Sequence, residues 1–185
     1  MLVSDFYTPE EVKSDFQTFE HKLRLSAQKR INISNDYIYG RDLASVNWYC
    51  KIFADETNLM DKYIEKFNEI DIFETSFDWS GFYNKLTRTA VRYYEELFIQ
   101  PGNFYHLVIP EVYDDGFSLH DLDEMENIIL SHLISPLKID SLFKLMLQYV
   151  DDDIVENHLD EYQKLFIEML KQLVLKKAIK PYQTK

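Results

Sequence analysis

Apolar residues recur at helical spacing along most of this chain, and the longest such run lies near its C-terminus. Between about Asp153 and Lys177, apolar side chains three or four residues apart fall on one face of a helical wheel. The members of this face are Val155, Leu159, Tyr162, Phe166, Met169, Leu170 and Leu173, with Leu165 and Val174 at its margins. Because the face is wider than the seam of a coiled coil, we expect this helix to lie between several others and to organise the core.

Shorter runs with the same spacing predict further helices. They are expected over Pro9–Gln28, from Asp42 to Phe53, over Leu59–Ile70 and Gly81–Ile99, from Ser118 to Pro136, and over Ile139–Val150. In the second of these, Leu43, Val46 and Cys50 are predicted to face the core. The triplet Ser34-Asn35-Asp36 has turn chemistry, which leaves residues 31–39 as a loop or a short hairpin. Residues 71–80 are interpreted as a connection with aromatic anchors.

One segment predicts a strand. Phe104 to Ile109 is aromatic and aliphatic and ends at Pro110, and it could pair with the Ala178–Tyr182 tail. The predicted fold class is therefore mainly α, with α+β as the alternative: about six or seven helices and one short strand pair near 104–110 and 178–182.

The chain length of 185 residues favours a single globular domain. Pro101-Gly102 marks one credible subdomain seam, near 101–103. It would separate a helical part, residues 1–100, from a strand plus three helices in residues 104–185.

Composition indicates a folded protein of the cytoplasm. Hydrophobic residues make up 46% of the chain, enough for a substantial core, and a single cysteine excludes an intramolecular disulfide. Ser4 and Asp5 follow the first three residues at once, so neither a signal peptide nor a membrane segment is predicted. Residue types with AT-rich codons far outnumber those with GC-rich codons. This bias favours a low-GC bacterium or one of its phages or other mobile elements.

The residues that carry most enzyme chemistry show no familiar spacing. Four widely separated glycines exclude a phosphate-binding loop or a dinucleotide fingerprint. The five histidines lack the spacing of a helical zinc site, although His120 with Asp123 and His158 with Glu161 could each offer two ligands. The acids at 151–153 resemble a helix cap better than a calcium loop. We therefore predict no catalytic residue, no cofactor and no metal.

Charge is the most informative remaining feature. The chain carries 32 acidic and 20 basic residues, a net charge of −12, which disfavours direct nucleic-acid binding and favours a basic protein partner. Acids are concentrated between Glu111 and Glu126 and again from Asp151 to Glu161, whereas lysines follow from Lys164 onward. We predict the first of these stretches, the Glu111–Glu126 segment, to be the partner-binding surface. Its candidate residues are Glu111, Tyr113, Asp114, Asp115, Asp121, Asp123, Glu124 and Glu126.

These features lead to one main functional hypothesis and two alternatives. The main hypothesis is a small acidic protein-binding module, an inhibitor or regulator of phage, plasmid or immunity type. Its partner would be a basic host protein, such as a nucleic-acid-binding component of the transcription, replication or defence machinery. The alternatives are a winged-helix-like transcriptional regulator and an all-helical enzyme. Helical pattern and charge leave the oligomeric state open.

Overall fold

The chain folds into two units, each built from two separate stretches of sequence. A computed structural model describes residues 9–52, 56–81, 101–112 and 116–182. The first unit comprises Met1–Ile33 and Glu69–Asp123, and the second comprises Ser34–Asn68 and Glu124–Lys185. The chain therefore changes unit after residues 33, 68 and 123. The single domain with a seam near 101–103 stays a prediction.

The first unit contains one long helix and a three-stranded antiparallel sheet among its described residues. Helix α1 spans Pro9–Arg30, and the strands are β2 at Asp71–Phe77, β3 at Pro101–Pro110 and β4 at Phe117–Leu122. The strand order is β2-β3-β4, so neighbours in sequence are neighbours in the sheet. The N-terminal helix predicted from the sequence is confirmed.

The second unit holds five α-helices and a smaller sheet among its described residues. Its elements are α2 at Asn35–Ile52, a 3-10 segment at Glu56–Asp61, β1 at Tyr63–Lys66, α3 at Glu124–His132, β5 at Leu137–Lys138, α4 at Ile139–Met146, a 3-10 turn at Leu147–Tyr149, α5 at Asp152–Asn157, α6 at Leu159–Leu175 and β6 at Ile179–Pro181. The antiparallel sheet has the order β5-β1-β6. The fold is thus mainly helical with some β structure, as predicted.

In the first unit, α1 packs on the sheet through a hydrophobic cluster. Its buried members are Val12, Phe19, Leu23, Phe73, Phe77, Trp79 and Val108. Strand β2 supplies its share by strict alternation, since Phe73, Thr75 and Phe77 are buried while Glu74 and Ser76 are exposed. The interpretation of residues 71–80 as a connection was therefore wrong for most of that range, because this period-two pattern was overlooked.

The strand predicted near 104–110 exists, but its predicted partner was wrong. Strand β3 pairs with β2 on one side and β4 on the other, so both of its edges are occupied within its own sheet. Strand β6, in the predicted tail, pairs instead with β1. That partner lay inside the Leu59–Ile70 helix of the prediction, which was also wrong because Ile64 is a buried strand residue.

Helix α2 begins seven residues earlier than predicted. The Ser34 hydroxyl accepts a hydrogen bond from the Tyr37 backbone N–H at 3.2 Å, so the predicted turn triplet contains a helix N-cap. The helix buries Ile38 and Trp48, whereas Leu43 and Val46 of the predicted apolar stripe are exposed. Cys50 is exposed, so its assignment to the core was wrong.

The region predicted as one helix from Ser118 to Pro136 is divided between a strand and a helix. Strand β4 runs to Leu122 and α3 starts at Glu124, so Leu122 belongs to the sheet core of the first unit. A strand repeats every two residues, so two apolar residues four positions apart fit a strand as well as a helix. In a short segment this spacing therefore does not distinguish the two structures. The predicted helix over Gly81–Ile99 falls almost entirely outside the described residues, because residues 82–99 are not described. Phe53, the predicted end of another helix, also lies outside them.

The predicted organising helix is present as two pieces, α5 and α6. The break is at His158, whose backbone is not helical (φ −131°, ψ 23°). Helix α6 is central to the second unit, as the sequence predicts. It buries Tyr162, Phe166, Met169, Leu170, Leu173 and Val174. Leu159 and Leu165 lie outside this face, with exposed fractions of 39% and 56%, so the buried sector is narrower than predicted.

Candidate protein-interaction surface

The predicted contact surface, the Glu111–Glu126 segment, does not belong to a single unit. The chain passes from the first unit to the second between Asp123 and Glu124, while Tyr113, Asp114 and Asp115 lie outside the described residues. Among the others, Asp121, Asp123 and Glu124 are exposed and Glu111 is half-buried. Exposure suits the predicted role of the first three.

Glu111 has a structural role at the turn between β3 and β4. Its carboxylate accepts a hydrogen bond from the Ser118 hydroxyl at 3.2 Å, and its backbone carbonyl accepts one from the Arg30 side chain at 2.5 Å. Its N–H also donates to the Gly116 carbonyl oxygen at 2.8 Å. These contacts fix the strand connection against the end of α1.

Glu126 is buried and paired within the second unit. Its side chain is 4% exposed, and both carboxylate oxygens accept hydrogen bonds from the Lys176 ammonium, at 2.6 and 2.7 Å. A buried carboxylate with this partner links α3 to the end of α6. We therefore leave it out of any surface that a partner could contact.

The second acidic stretch is better placed for contact with a partner. We name it the α5–α6 acids: Asp151, Asp152, Asp153, Glu156, Asp160 and Glu161, all of them exposed. Asp151 occupies the N-cap position of α5, yet its side chain makes no capping hydrogen bond; its backbone carbonyl accepts from the N–H groups of Ile154 and Val155. The side-chain cap expected at this position is therefore not formed, and the carboxylate remains at the surface.

Ion pairs in the second unit are distributed unevenly. Four lysines of the basic tail have a carboxylate within reach: Lys171 with Glu168 at 2.6 Å, Lys176 with Glu126 at 2.6 Å, Lys177 with Asp42 at 2.9 Å and Lys180 with Glu65 at 3.2 Å. Lys138 pairs with Asp61 at 2.7 Å and Lys144 with Asp140 at 2.8 Å. Lys176, Lys177 and Lys180 in the basic tail are therefore paired with acids from other elements, and Lys171 with an acid of its own helix.

The Lys138–Asp61 contact illustrates this pairing. The hydrogen bond and the charge of Lys138 hold the pKa of the Asp61 carboxyl below its ordinary value, and Asp61 in turn raises the pKa of the Lys138 ammonium. In the described part of the chain, by contrast, no lysine or arginine lies within 4.0 Å of Asp151, Asp152, Asp153, Glu156 or Asp160. Glu161 is within 2.8 Å of His158.

One buried polar group has the order of residues found in a nucleophile–histidine–acid arrangement. The Nε2 of His106 is 2.7 Å from the Thr75 hydroxyl, and its Nδ1 is 3.4 Å from an Asp121 oxygen, without hydrogen-bond geometry. The Thr75 hydroxyl donates to the Phe77 carbonyl oxygen at 2.8 Å, so it can only accept from His106. A nucleophile needs the opposite direction, in which the histidine accepts the proton.

Burial completes the argument about His106. The imidazole is fully buried between the rings of Phe19 and Phe73, with both centroids 5.3 Å away, and Thr75 is only 3% exposed. The group therefore crosslinks β2 and β3 beneath α1, and the described structure offers a substrate no path to the hydroxyl. This group was not predicted, because the spacing of the histidines was compared only with that of metal sites, and the strand positions of Thr75 and His106 were not considered.

The described residues also lack a cluster of metal-ligand side chains. No group of three or more His, Cys, Asp or Glu side chains among them could hold a metal ion. His120 hydrogen-bonds with Ser118 at 3.1 Å, and it lies in a strand and not on the helix that the sequence predicts. Within the same residues, no helix combines the length and apolarity needed to cross a bilayer.

Comparison with known proteins gives no indication of a family or a function. The chain matches no protein-family model, and no curated protein matches it significantly.

Proposed function

We propose that this chain is a small acidic protein-interaction module, an inhibitor or regulator that binds a basic protein. The observation that supports this proposal best is the uneven distribution of ion pairs in the second unit. Six of its lysines are paired with carboxylates, whereas the α5–α6 acids, Glu161 apart, have no cationic partner among the described residues. A partner's lysines and arginines could supply the missing cations.

The α5–α6 acids are the main contact surface of this proposal. They start two residues after Tyr149. All of them except Glu156, which lies near the end of α5, occupy the N-terminal ends of two helices, where the helix dipole stabilises negative charge without a cation. They can therefore remain ionised and unpaired at low energetic cost until a partner arrives. Asp121, Asp123 and Glu124, the exposed members of the Glu111–Glu126 segment, form a second candidate surface.

The class of partner follows from charge. With a net charge of −12, this chain repels nucleic acid and attracts proteins that bind it. A nucleic-acid-binding component of a host's transcription, replication or defence machinery presents a basic surface of this kind. Complementary charges accelerate such an encounter, and salt screens them. We therefore expect a cytoplasmic complex whose affinity falls as ionic strength rises.

A winged-helix-like regulator is the second candidate, and the topology of the second unit favours it. Helix α3, strand β5, helix α4, helices α5–α6 and strand β6 follow in the order expected of a winged-helix module, and β1 completes the sheet. However, the helix after α4, which would lie in the major groove, carries the acids at its start. Lys171, Lys176, Lys177 and Lys180 behind it are paired with carboxylates, so this arrangement is better suited to a basic protein than to DNA.

The experiment is an affinity capture from a low-GC bacterial lysate, eluted by a salt gradient and analysed by mass spectrometry. Three baits are compared: the wild type, a variant with Asp151, Asp152 and Asp153 changed to Asn and Glu156 to Gln, and a variant with Asp114, Asp115 and Asp123 changed to Asn and Glu124 to Gln. Both variants lose four charges, so each controls for the change in net charge of the other.

The proposal predicts one stoichiometric basic protein that the wild type retains and that salt releases. Loss of this protein from the first variant, but not from the second, supports the α5–α6 acids as the contact surface. The reverse pattern supports the Glu111–Glu126 segment. Capture of no basic protein by the wild type, or equal capture by all three baits, would contradict the proposal.

A further inference from the structure

An exposed aromatic and apolar patch directly precedes the α5–α6 acids. Ile134, in the turn after α3, is 91% exposed, and Tyr149, at the end of the 3-10 turn, is 48% exposed. The imidazole of His132, two residues before Ile134 in the chain, has its ring 5.7 Å from that of Tyr149. We call this group, His132, Ile134 and Tyr149, the Tyr149 patch.

The tyrosine in this patch is fixed in position. Its hydroxyl is 3.0 Å from Nε2 of His132, and the two rings are tilted by 60°. A side chain held in this way loses little conformational entropy when a partner binds, which is the advantage of preorganisation. Tyrosine is also one of the residue types that most often carry binding energy at protein interfaces.

The charge around the patch indicates what could cover it. Asp151, Asp152 and Asp153 begin two residues after Tyr149 and are exposed, and no lysine or arginine in the described structure pairs with them. An apolar surface next to unpaired carboxylates suits a segment that brings apolar and cationic groups together. Arginine meets both requirements, because its planar guanidinium stacks on aromatic rings and forms paired hydrogen bonds with carboxylates.

We propose that the Tyr149 patch is the specificity-determining part of the interface, and that it binds an arginine-bearing segment of the partner protein. The guanidinium stacks on the Tyr149 ring and hydrogen-bonds with carboxylates at 151–153, while a neighbouring apolar side chain of the partner covers Ile134. This inference rests on the proposed function and adds to it the chemistry of the partner: arginine in preference to lysine, next to an apolar residue.

The test uses two short fluorescein-labelled peptides, one that alternates arginine with leucine and one with lysine in place of each arginine. Their net charges are equal, so charge alone cannot distinguish them. Fluorescence anisotropy measures the affinity of the full chain for each. We expect the arginine peptide to bind about tenfold more tightly, given the strength of a partly desolvated cation–π contact.

Variants locate the effect. Tyr149→Ala should weaken the arginine peptide about tenfold and bring it close to the lysine peptide, whereas Tyr149→Phe, which keeps the ring, should stay within about threefold of the wild type. Tyr39→Ala is the matched control, since Tyr39 is also 48% exposed in the second unit but lies on α2, and it should leave both affinities unchanged. Circular dichroism verifies that each variant is folded.

The outcomes separate this inference from the proposed function. Equal binding of the two peptides, insensitive to Tyr149→Ala but weakened when the acids at 151–153 become Asn, overturns the role of Tyr149 and leaves the acidic surface standing. A preference for arginine that survives Tyr149→Ala also overturns it. Failure of the wild type to bind either peptide would overturn both proposals.

Discussion

Substitutions at the Glu126–Lys176 pair test whether Glu126 stabilises the fold, in contrast to exposed acids that could contact a partner. Glu126 lies in the predicted Glu111–Glu126 segment, yet its side chain is 4% exposed and Lys176 is 22% exposed. Lys176→Met removes the cation and leaves the carboxylate buried without it. Breaking a buried pair in this way costs about 3–5 kcal/mol, and the partial exposure of Lys176 places the expected loss near the lower end, at about 3 kcal/mol.

The double variant tests the reasoning. Combining Lys176→Met with Glu126→Leu removes both charges and leaves an apolar pair, which is often nearly as stable as the original ion pair. We expect it to recover most of the loss, so that the two single changes are non-additive by about 2–3 kcal/mol. Urea unfolding followed by circular dichroism gives the free energies. Glu124→Gln, at the exposed start of the same helix, is the control and should cost about 0.3–1 kcal/mol through the helix dipole.

Two results would refute this account of Glu126. If Lys176→Met costs no more than Glu124→Gln, the carboxylate is not buried in solution as the structure places it. If the double variant loses the sum of the two single losses, the residues do not interact, and Glu126 returns to the list of candidate contact residues.

Three further predictions concern the second unit. Gly40 lies within α2, and a Cβ there would have nothing within 4 Å. Gly40→Ala should therefore raise the free energy of unfolding by about 0.5–1 kcal/mol in a urea titration. A lower free energy of unfolding would show that the helix is interrupted there. Lys177 has a left-handed backbone (φ 57°), which strains any residue with a Cβ. Lys177→Gly should therefore be more stable than Lys177→Ala by about 1 kcal/mol, since both variants lose the ion pair with Asp42. Equal stability of the two variants would contradict backbone strain at this position. The Tyr162 hydroxyl is buried and has no hydrogen-bond partner among the described residues, and burial raises the pKa of Tyr162 above its ordinary 10.0. Stability should therefore fall as pH rises above about 10, because the unfolded chain then loses the proton more readily. Tyr162→Phe should flatten that decline in thermal melts at alkaline pH, and an unchanged slope would assign it to other groups.

Helices with a strong apolar face were predictable from the sequence. Helix α1 begins at the predicted Pro9, and α6 buries Phe166 and its neighbours along the predicted stripe. In both, large apolar side chains recur over several turns, and no other regular structure would bury them together. The existence of a strand near 104–110 was predictable for a similar reason, since β3 is apolar on both faces along half of its length.

Short elements were predicted less well, because their partners decide their structure. Strand β1 has four residues, one of them fully buried, and it becomes a strand by pairing with β5 and β6, which lie far along the chain. Helix α2 was assigned the wrong face because Arg41 and Ser45 are buried on it. Arg41 tolerates that position through its hydrogen bonds with Asp42, at 2.8 and 3.0 Å, which spacing cannot reveal.

The candidate surface shows the limit of arguments from charge. The sequence locates both acidic stretches, but it cannot tell a buried acid such as Glu126 from an exposed one such as Glu124, two residues away. Nor can it show that lysines such as Lys177 and Lys180, close to the C-terminus, pair with Asp42 and Glu65, more than a hundred residues earlier. The positions of these charges follow from tertiary structure. They are the reason why the second acidic stretch, and not the first, is proposed as the main contact surface.

The most direct test of the proposed function is the affinity for the captured basic partner as a function of salt, measured by titration calorimetry with the wild type and with the variant neutralised at Asp151, Asp152, Asp153 and Glu156. We predict that the variant binds at least about tenfold more weakly at low salt, that its affinity depends less on salt, and that its thermal midpoint is nearly unchanged. Equal affinities and equal salt dependence would contradict the role of these acids as the surface through which this protein binds.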